Sequence, residues 1–219
     1  MSNSPGINEK ETSERVIKNI ETREEYKYLG RVMSFTDRLN KELRERREAA
    51  WKSFWSLKHI YKNKMISNKT KVEILEACTI PVLTYGAQTW ALTETQLNKL
   101  RTTQRAMERS ILNVKRVERI RNVEIRNRTK VEDAGFLVKK AKMSYAGRMM
   151  RTKKEKWNKR LYEWTPYGST RKKGKPKTRW REEICNKLGV LWTRNTENKK
   201  VWKKNRGGLC PGVGGILAC

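Results

Sequence analysis

Residues 36–61 read TDRLNKELRERREAAWKSFWSLKHIY. Leu39, Leu43, Ala50, Phe54, Leu57 and Tyr61 recur there at helical spacing, and Trp51 and Trp55 widen the apolar face. Arg38, Arg44, Arg46, Arg47, Lys52 and Lys58 fill the positions between. The stretch predicts a long amphipathic helix with a basic outer face, and Thr36 is placed to cap it. A core role for the aromatics is favoured over base stacking, because they widen the same apolar stripe.

Upstream, Tyr26-Lys27-Tyr28-Leu29-Gly30-Arg31-Val32 alternates and carries a Gly turn signal, the pattern of a short strand or hairpin. Residues 1–14 are polar and are expected to be disordered. Downstream the helical period continues. Residues 68–90 place Val72, Leu75, Cys78, Val82, Gly86 and Trp90 on one face, and Pro81 is expected to kink or split that helix. Thr93-Glu94-Thr95-Gln96 fits a capping box. It opens a third helix with Leu97, Leu100, Gln104, Met107 and Ile111 in line. Residues 115–128 form a basic connector with a short helix near 123–127. Thr129-Lys130-Val131-Glu132 is a second capping-box pattern, opening a helix to about residue 150 with Val131, Ala134, Val138, Ala141 and Tyr145 inward. Trp157, Leu161 and Trp164 mark a further short helix, and Thr165-Pro166-Tyr167-Gly168-Ser169 is a turn. Thr178 is placed to cap a helix bearing Trp180, Ile184 and Leu188, stopped by Gly189. Trp192 and Trp202 belong to a last helical segment. Residues 207–219 contain five Gly, one Pro and no charge, and no stable structure is expected there. The fold class is therefore mainly α, with a short N-terminal strand or hairpin ahead of the helices.

Charge narrows the function. The 219 residues include 52 Lys and Arg against 23 Asp and Glu, a formal net charge of +29. A compact chain at that charge repels itself and needs an anionic partner or a larger body to settle on. Hydrophobic residues make up 36%, below the roughly 45–50% of ordinary globular domains, so the core is thin. The excess is uneven, since residues 139–206 hold 24 basic and 5 acidic side chains. No apolar run is long enough to span a membrane, and no signal-peptide core precedes residue 25.

The reactive inventory is short. His59 is the single histidine, set in a basic helical stretch without a nearby acid, which reads as a solvated helix residue. Cys78, Cys185, Cys210 and Cys219 have no close-paired spacing, which argues against zinc and fits a reducing, nuclear or cytoplasmic setting. Two-metal nucleotidyl transfer needs clustered carboxylates. Asp37 and Asp133 are the two aspartates and are far apart, while Glu24-Glu25 and Glu182-Glu183 suit structural roles. No catalytic residue, metal or cofactor is assigned.

Two basic features could hold nucleic acid. The first is Arg171, Lys172, Lys173, Lys175, Lys177, Arg179, Trp180 and Arg181, in a stretch that Gly174 and Pro176 keep out of a helix. Such side chains neutralise phosphates and release counterions. Trp180 either stacks on a base or packs on Ile184, and the packing role is favoured. Lys172-Lys173-Gly174-Lys175 also resembles a nuclear import signal. Lys173-Gly174-Lys175-Pro176 is like a minor-groove hook core with Lys in place of both Arg. The second feature is the outer faces of the first and third helices, the latter through Arg101, Arg105 and Arg109.

Several segments in this order resemble the C-terminal part of non-LTR, LINE-type retrotransposon reverse transcriptases, most nearly the RTE-like endonuclease–reverse transcriptases. They are Tyr26-Lys27-Tyr28-Leu29-Gly30, Pro81-Val82-Leu83-Thr84-Tyr85-Gly86-Ala87-Gln88-Thr89-Trp90, and Gln104-Arg105-Ala106-Met107-Glu108-Arg109-Ser110-Ile111-Leu112. Tyr145-Ala146-Gly147-Arg148, Gly174-Lys175-Pro176 and Arg179-Trp180 complete the set. The resemblance covers about residues 25–204. It implies that Tyr28, Leu29 and Gly30 belong to a primer-grip-like hairpin, followed by a thumb-like helical region and a basic extension. The implied organisation is 1–24 disordered or a palm remnant, 25–35 hairpin, 36–128 thumb-like, 129–206 basic helical extension, and 207–219 unstructured tail. The family's Ala-Asp-Asp metal motif and its endonuclease are not in this sequence, so the resemblance implies a non-catalytic fragment. Its implied partners are RNA, DNA or their hybrid. In the alternative it only packs on a separate palm domain, as a structural fragment or relic, through the aromatic face of Trp51, Phe54 and Trp55. Three departures stand out: Arg148 replaces a usual His, Lys175 replaces a usual Arg, and the Gly-rich tail replaces a helical continuation. The tail is expected to mark a frameshift, a splice junction or a gene-prediction artefact.

Overall fold

The computed structural model describes residues 25–34, 36–152, 156–163, 179–189 and 191–207. Within them the chain is mainly helical behind a two-stranded antiparallel hairpin. Residues 1–42 and 43–219 make two compact units, and the boundary falls inside the first long helix.

In the first unit, β1 (Glu25–Tyr28) pairs with β2 (Arg31–Ser34), Tyr28 opposite Arg31. The linking Leu29 and Gly30 have φ of 47° and 72°. Two positive values in a two-residue loop are the mark of a type I′ turn, whose twist matches the strands. Gly30 adopts it freely, whereas Leu29 does so at about 1 kcal/mol. The helix α1 (Arg38–Ser56) starts one residue later than a Thr36 cap requires. Thr36 is instead tied back to Ser34, its N–H donating to the Ser34 hydroxyl at 3.3 Å. Glu42, in the first turns of α1, is buried and accepts the Val32 N–H at 2.7 Å.

In the second unit, Leu43, Ala50 and Phe54 bury the predicted face of α1. The helix ends at Ser56, and α2 (Lys58–Lys62) begins after a break at Leu57. The Ser56 hydroxyl donates to the Ser53 carbonyl at 2.8 Å, a local bond that competes with the helical ladder. Tyr61 nonetheless reaches the core and stacks on Phe54 at 4.5 Å. Of the three aromatics read as a palm-packing face, Phe54 is fully buried, Trp51 is half-buried and Trp55 is 48% exposed. His59 is exposed, as expected.

The helix predicted over 68–90 is split. Ser67 caps α3 (Asn68–Ile74) through the Thr70 N–H, a π-helical turn spans Leu75–Thr79, and α4 (Ile80–Leu83) follows. Pro81 sits in the first turn of α4, where its missing N–H costs least, and the wide turn absorbs the mismatch before it. Gly86, at φ 74°, then turns the chain into a 3-10 segment, Ala87–Thr89. The capping box of α5 (Glu94–Ile111) forms as read, with Thr93 and Gln96 bonded reciprocally. The second predicted box does not form. Thr129 ends α6 (Asn122–Thr129), Lys130 turns left-handed at φ 56°, and Asp133 caps α7 (Ala134–Met150) by accepting the Phe136 N–H at 3.1 Å.

The C-terminal elements are α8 (Trp157–Glu163), α9 (Trp180–Leu188), α10 (Trp192–Asn195) and α11 (Lys199–Gly207). Gly189, at φ 79°, ends α9 as expected. Trp192 and Trp202 meet Met143, Ala146 and Ile184 in a core of their own, on two helices rather than one segment. A β-carbon on Gly147 would lie 2.1 Å from the Trp202 indole nitrogen, which donates to the Met143 carbonyl at 3.0 Å. The small residue of Tyr145-Ala146-Gly147 is thus dictated by the indole against it. Trp157 and Leu161 are exposed and do not join this core. Residues 1–24, Trp164, the 165–169 turn, Thr178 and residues 208–219 lie outside the described residues. Among the described residues, no helix is long and apolar enough to cross a membrane.

Candidate nucleic-acid interface

The helix α5 carries an unusual buried face. Arg105 and Glu108 are both buried there, and the Arg105 guanidinium donates to both Glu108 oxygens at 2.6 Å. Its other nitrogen reaches Asp133 Oδ2 at 3.2 Å. Arg101 donates to the opposite oxygen, Asp133 Oδ1, at 3.1 Å, and also bonds Asn98 and Glu94. Gln104 donates to the Glu132 carbonyl at 2.9 Å and accepts the Ala134 N–H at 2.6 Å. The start of α7 is therefore clamped to the middle of α5 by polar groups that all have partners, as buried polar groups require.

Electrostatics follow from this packing. Burial pushes the Glu108 carboxyl above its ordinary value, although Arg105, Thr129 and Gln104 favour its charge. Burial would also raise Asp133, but Arg101, the Phe136 N–H and Arg105 together outweigh it and hold that carboxyl low. The charged Asp133 is thus the acid that fixes the two arginines.

A cleft of about 840 Å³ opens beside this clamp. One wall is α5, with Arg101, Arg105 and Arg109 at four-residue intervals. The other is the connector, with Lys115, Arg116, Arg119 and Arg126. Among the described residues, Asp133 is the single acidic residue in the lining. Arg109 joins the walls by donating to the Ile120 carbonyl at 3.2 Å and to Asn122 Oδ1 at 2.7 Å. The connector's path depends on two left-handed residues, Asn113 at φ 59° and Arg119 at φ 50°. Strained backbone of this kind persists where the surroundings over-determine it. Among the described residues, the side chains of Arg116, Arg119 and Arg126 have no acidic partner.

The structure thus gathers Arg101, Arg105 and Arg109 into one concave place, but not in equal roles. Arg105 is buried and committed to Glu108 and Asp133, so it is not on an outer face. The connector residues, read from the sequence only as a basic linker, supply the accessible charge. Their signal was the run of basic side chains against a single acid, Glu118, from 115 to 121.

The other candidates fall elsewhere. Arg171, Lys172, Lys173, Lys175 and Lys177 lie outside the described residues. Arg179 is exposed, and its N–H donates to Glu182 at 3.0 Å. Trp180 takes the packing role: its indole donates to the Gln88 carbonyl at 2.8 Å, and Tyr145 and Tyr162 meet it edge-on. Arg181 lies over the Tyr162 ring at 5.3 Å. Tyr28 and Leu29 are exposed with Gly30 at the hairpin tip. A lysine that sequence reading passed over, Lys142, is buried against Glu183 and the Trp180 ring, and burial pulls its ammonium below its ordinary value. Among the described residues, no group of three or more His, Cys, Asp or Glu side chains could hold a metal.

Over 192 residues, 82% of this chain and 68% of the relative, the sequence is 27% identical to an uncharacterized transposon-derived protein of Caenorhabditis elegans. That similarity supports a transposon origin. No protein-family model matches the chain, and no solved structure matches it.

Proposed function

We propose that the chain is a nucleic-acid-gripping portion of a transposon-derived reverse transcriptase, the thumb-like and C-terminal part, without polymerase or nuclease activity of its own. It holds RNA, DNA or their hybrid through the phosphate backbone. The observation that carries this reading is the arginine-lined cleft between α5 and the connector, seven basic residues against one acid among the described residues. Asp133 and Glu108 offset Arg101 and Arg105, so the accessible excess comes from Arg109, Lys115, Arg116, Arg119 and Arg126. The similarity to a transposon-derived protein and the sequence resemblance to LINE-type enzymes support the same reading.

Backbone binding of this kind depends steeply on salt. With six to ten phosphates contacted, affinity falls about 10³–10⁵-fold between 50 and 200 mM salt. A flat salt titration contradicts the proposal. Primer extension with Mg²⁺ or Mn²⁺ is expected to give no product, and incorporation overturns the non-catalytic part of it. A second reading, docking on a separate palm domain, draws on the exposed Tyr26, Tyr28 and Leu29 of the hairpin. It predicts that a hairpin variant, Tyr28→Ser, loses palm binding and keeps nucleic-acid binding.

A further inference from the structure

We infer that the cleft beside α5 takes one unpaired strand of nucleic acid rather than a duplex. The inference rests on the nucleic-acid reading above and adds the form of the ligand. The basic groups lie in a recess of about 840 Å³, the size range of small-ligand pockets, ~300–1,000 Å³. A double helix, whose major groove alone is about 12 Å wide, does not enter such a recess. A few nucleotides of a single strand fit it.

The spacing of the charges agrees. Arg101 and Arg109, the two half-buried arginines of that wall, stand eight residues apart on α5, about 12 Å at 1.5 Å per residue. That is about the span of three successive phosphates of one strand, while Arg105 between them stays committed to Glu108 and Asp133. Hydrogen bonds to Asn98, the Ile120 carbonyl and Asn122 hold Arg101 and Arg109 in place, so little side-chain entropy is lost when a phosphate arrives. Across the recess, Arg116, Arg119 and Arg126 face the same strand without acidic partners among the described residues. Ala106, Val114 and Ile120 give the recess an apolar part for sugars, and among the described residues no aromatic ring lines it. Without stacking platforms, recognition is by backbone charge, and the base sequence matters little.

The test uses the full chain and a labelled single strand of about 12 nucleotides, within the range one single-strand module covers. Its duplex and inorganic triphosphate serve as competitors, and an Arg116→Glu, Arg119→Glu, Arg126→Glu variant is compared with the parent. These three residues are exposed, and circular dichroism checks that the variant keeps its helices. The expected result is single-strand binding at least about tenfold tighter than duplex binding. The variant loses about 100-fold in affinity near 0.1 M salt, with a salt slope shallower by about 2, from ~0.7 per phosphate lost on a single strand. Equal or tighter duplex binding overturns the inference, as does displacement of the strand by triphosphate at matching concentration. A third contrary result separates the two claims: if neutralising Arg171, Lys172, Lys173, Lys175 and Lys177 abolishes binding while the cleft variant retains it, the nucleic-acid reading stands and the cleft assignment falls. If the parent chain binds no strand and no duplex, it is the underlying reading that fails.

Discussion

The helix α1 and the α5 cleft are both rich in arginine, and they use it in different ways. On α1 the charges stand on a convex surface with acids among them. Arg44 lies 4.0 Å from Glu48, both largely exposed, and Arg46 spends its charge over the Tyr85 ring at 4.6 Å. In the cleft the charges converge, and the one acid in the lining is consumed in orienting two of them. Net charge alone does not make a site. Convergence of the charges is what distinguishes the cleft from the convex face of α1.

The largest expected effect tests the buried clamp. Arg105→Ala leaves Glu108 buried and uncompensated, at about 3–5 kcal/mol of stability in a denaturant melt. Arg44→Ala on α1 changes stability by no more than about 0.5 kcal/mol, as exposed pairs do. A small loss at Arg105 would erase the contrast. Next comes binding. Reversing Arg44 and Lys52 on α1 lowers single-strand affinity by no more than about threefold, whereas reversing the connector arginines costs about 100-fold. Comparable losses from both would return the account to bulk charge.

Asp133→Asn gives the sharpest combination. The side chain still caps α7, but the charge that fixes Arg101 and Arg105 is gone, so stability falls by about 1.5–3 kcal/mol. Affinity for the strand rises, because the one acid in the lining is removed. The pH dependence has a definite sign. The folded state holds the Asp133 carboxyl below its ordinary value of 3.8, so its contribution is present above that pH and lost as the pH falls through the lower folded value. Glu108, raised above 4.5 by burial, acts oppositely and weakens the fold as it ionises. Acid titration of Asp133→Asn followed by circular dichroism is expected to show a flatter low-pH limb than the parent. The smallest effect is at the hairpin, where Leu29→Asn relieves a left-handed leucine and gains up to about 1 kcal/mol in the melting of residues 25–42.

Local signals in the sequence were enough for the hairpin, the long apolar stripe of α1 and the Thr93 capping box. Gly30, the leucine spacing and Gln96 each act within one element. Failures came where distant residues decide. Thr129 reads as a cap, yet Glu108, 21 positions earlier, takes its hydroxyl at 3.0 Å and leaves the capping to Asp133. Arg105 reads as an outer-face cation because helical spacing carries no information about a buried acid on the same helix. The wall of the cleft was legible only as a basic connector, since its shape comes from two left-handed residues and from Arg109 reaching Ile120 and Asn122. The Gly in Tyr145-Ala146-Gly147 has its reason 55 residues downstream, in Trp202.

Where the strand lies is read directly by amide hydrogen exchange of the full chain, with and without saturating single strand. Exchange slows where a ligand orders or covers backbone. Protection is expected in residues 113–126 and along the 101–109 side of α5, with residues 44–52 of α1 unchanged. Unaltered exchange over 113–126 at saturation, with protection of α1 in its place, would contradict the cleft assignment.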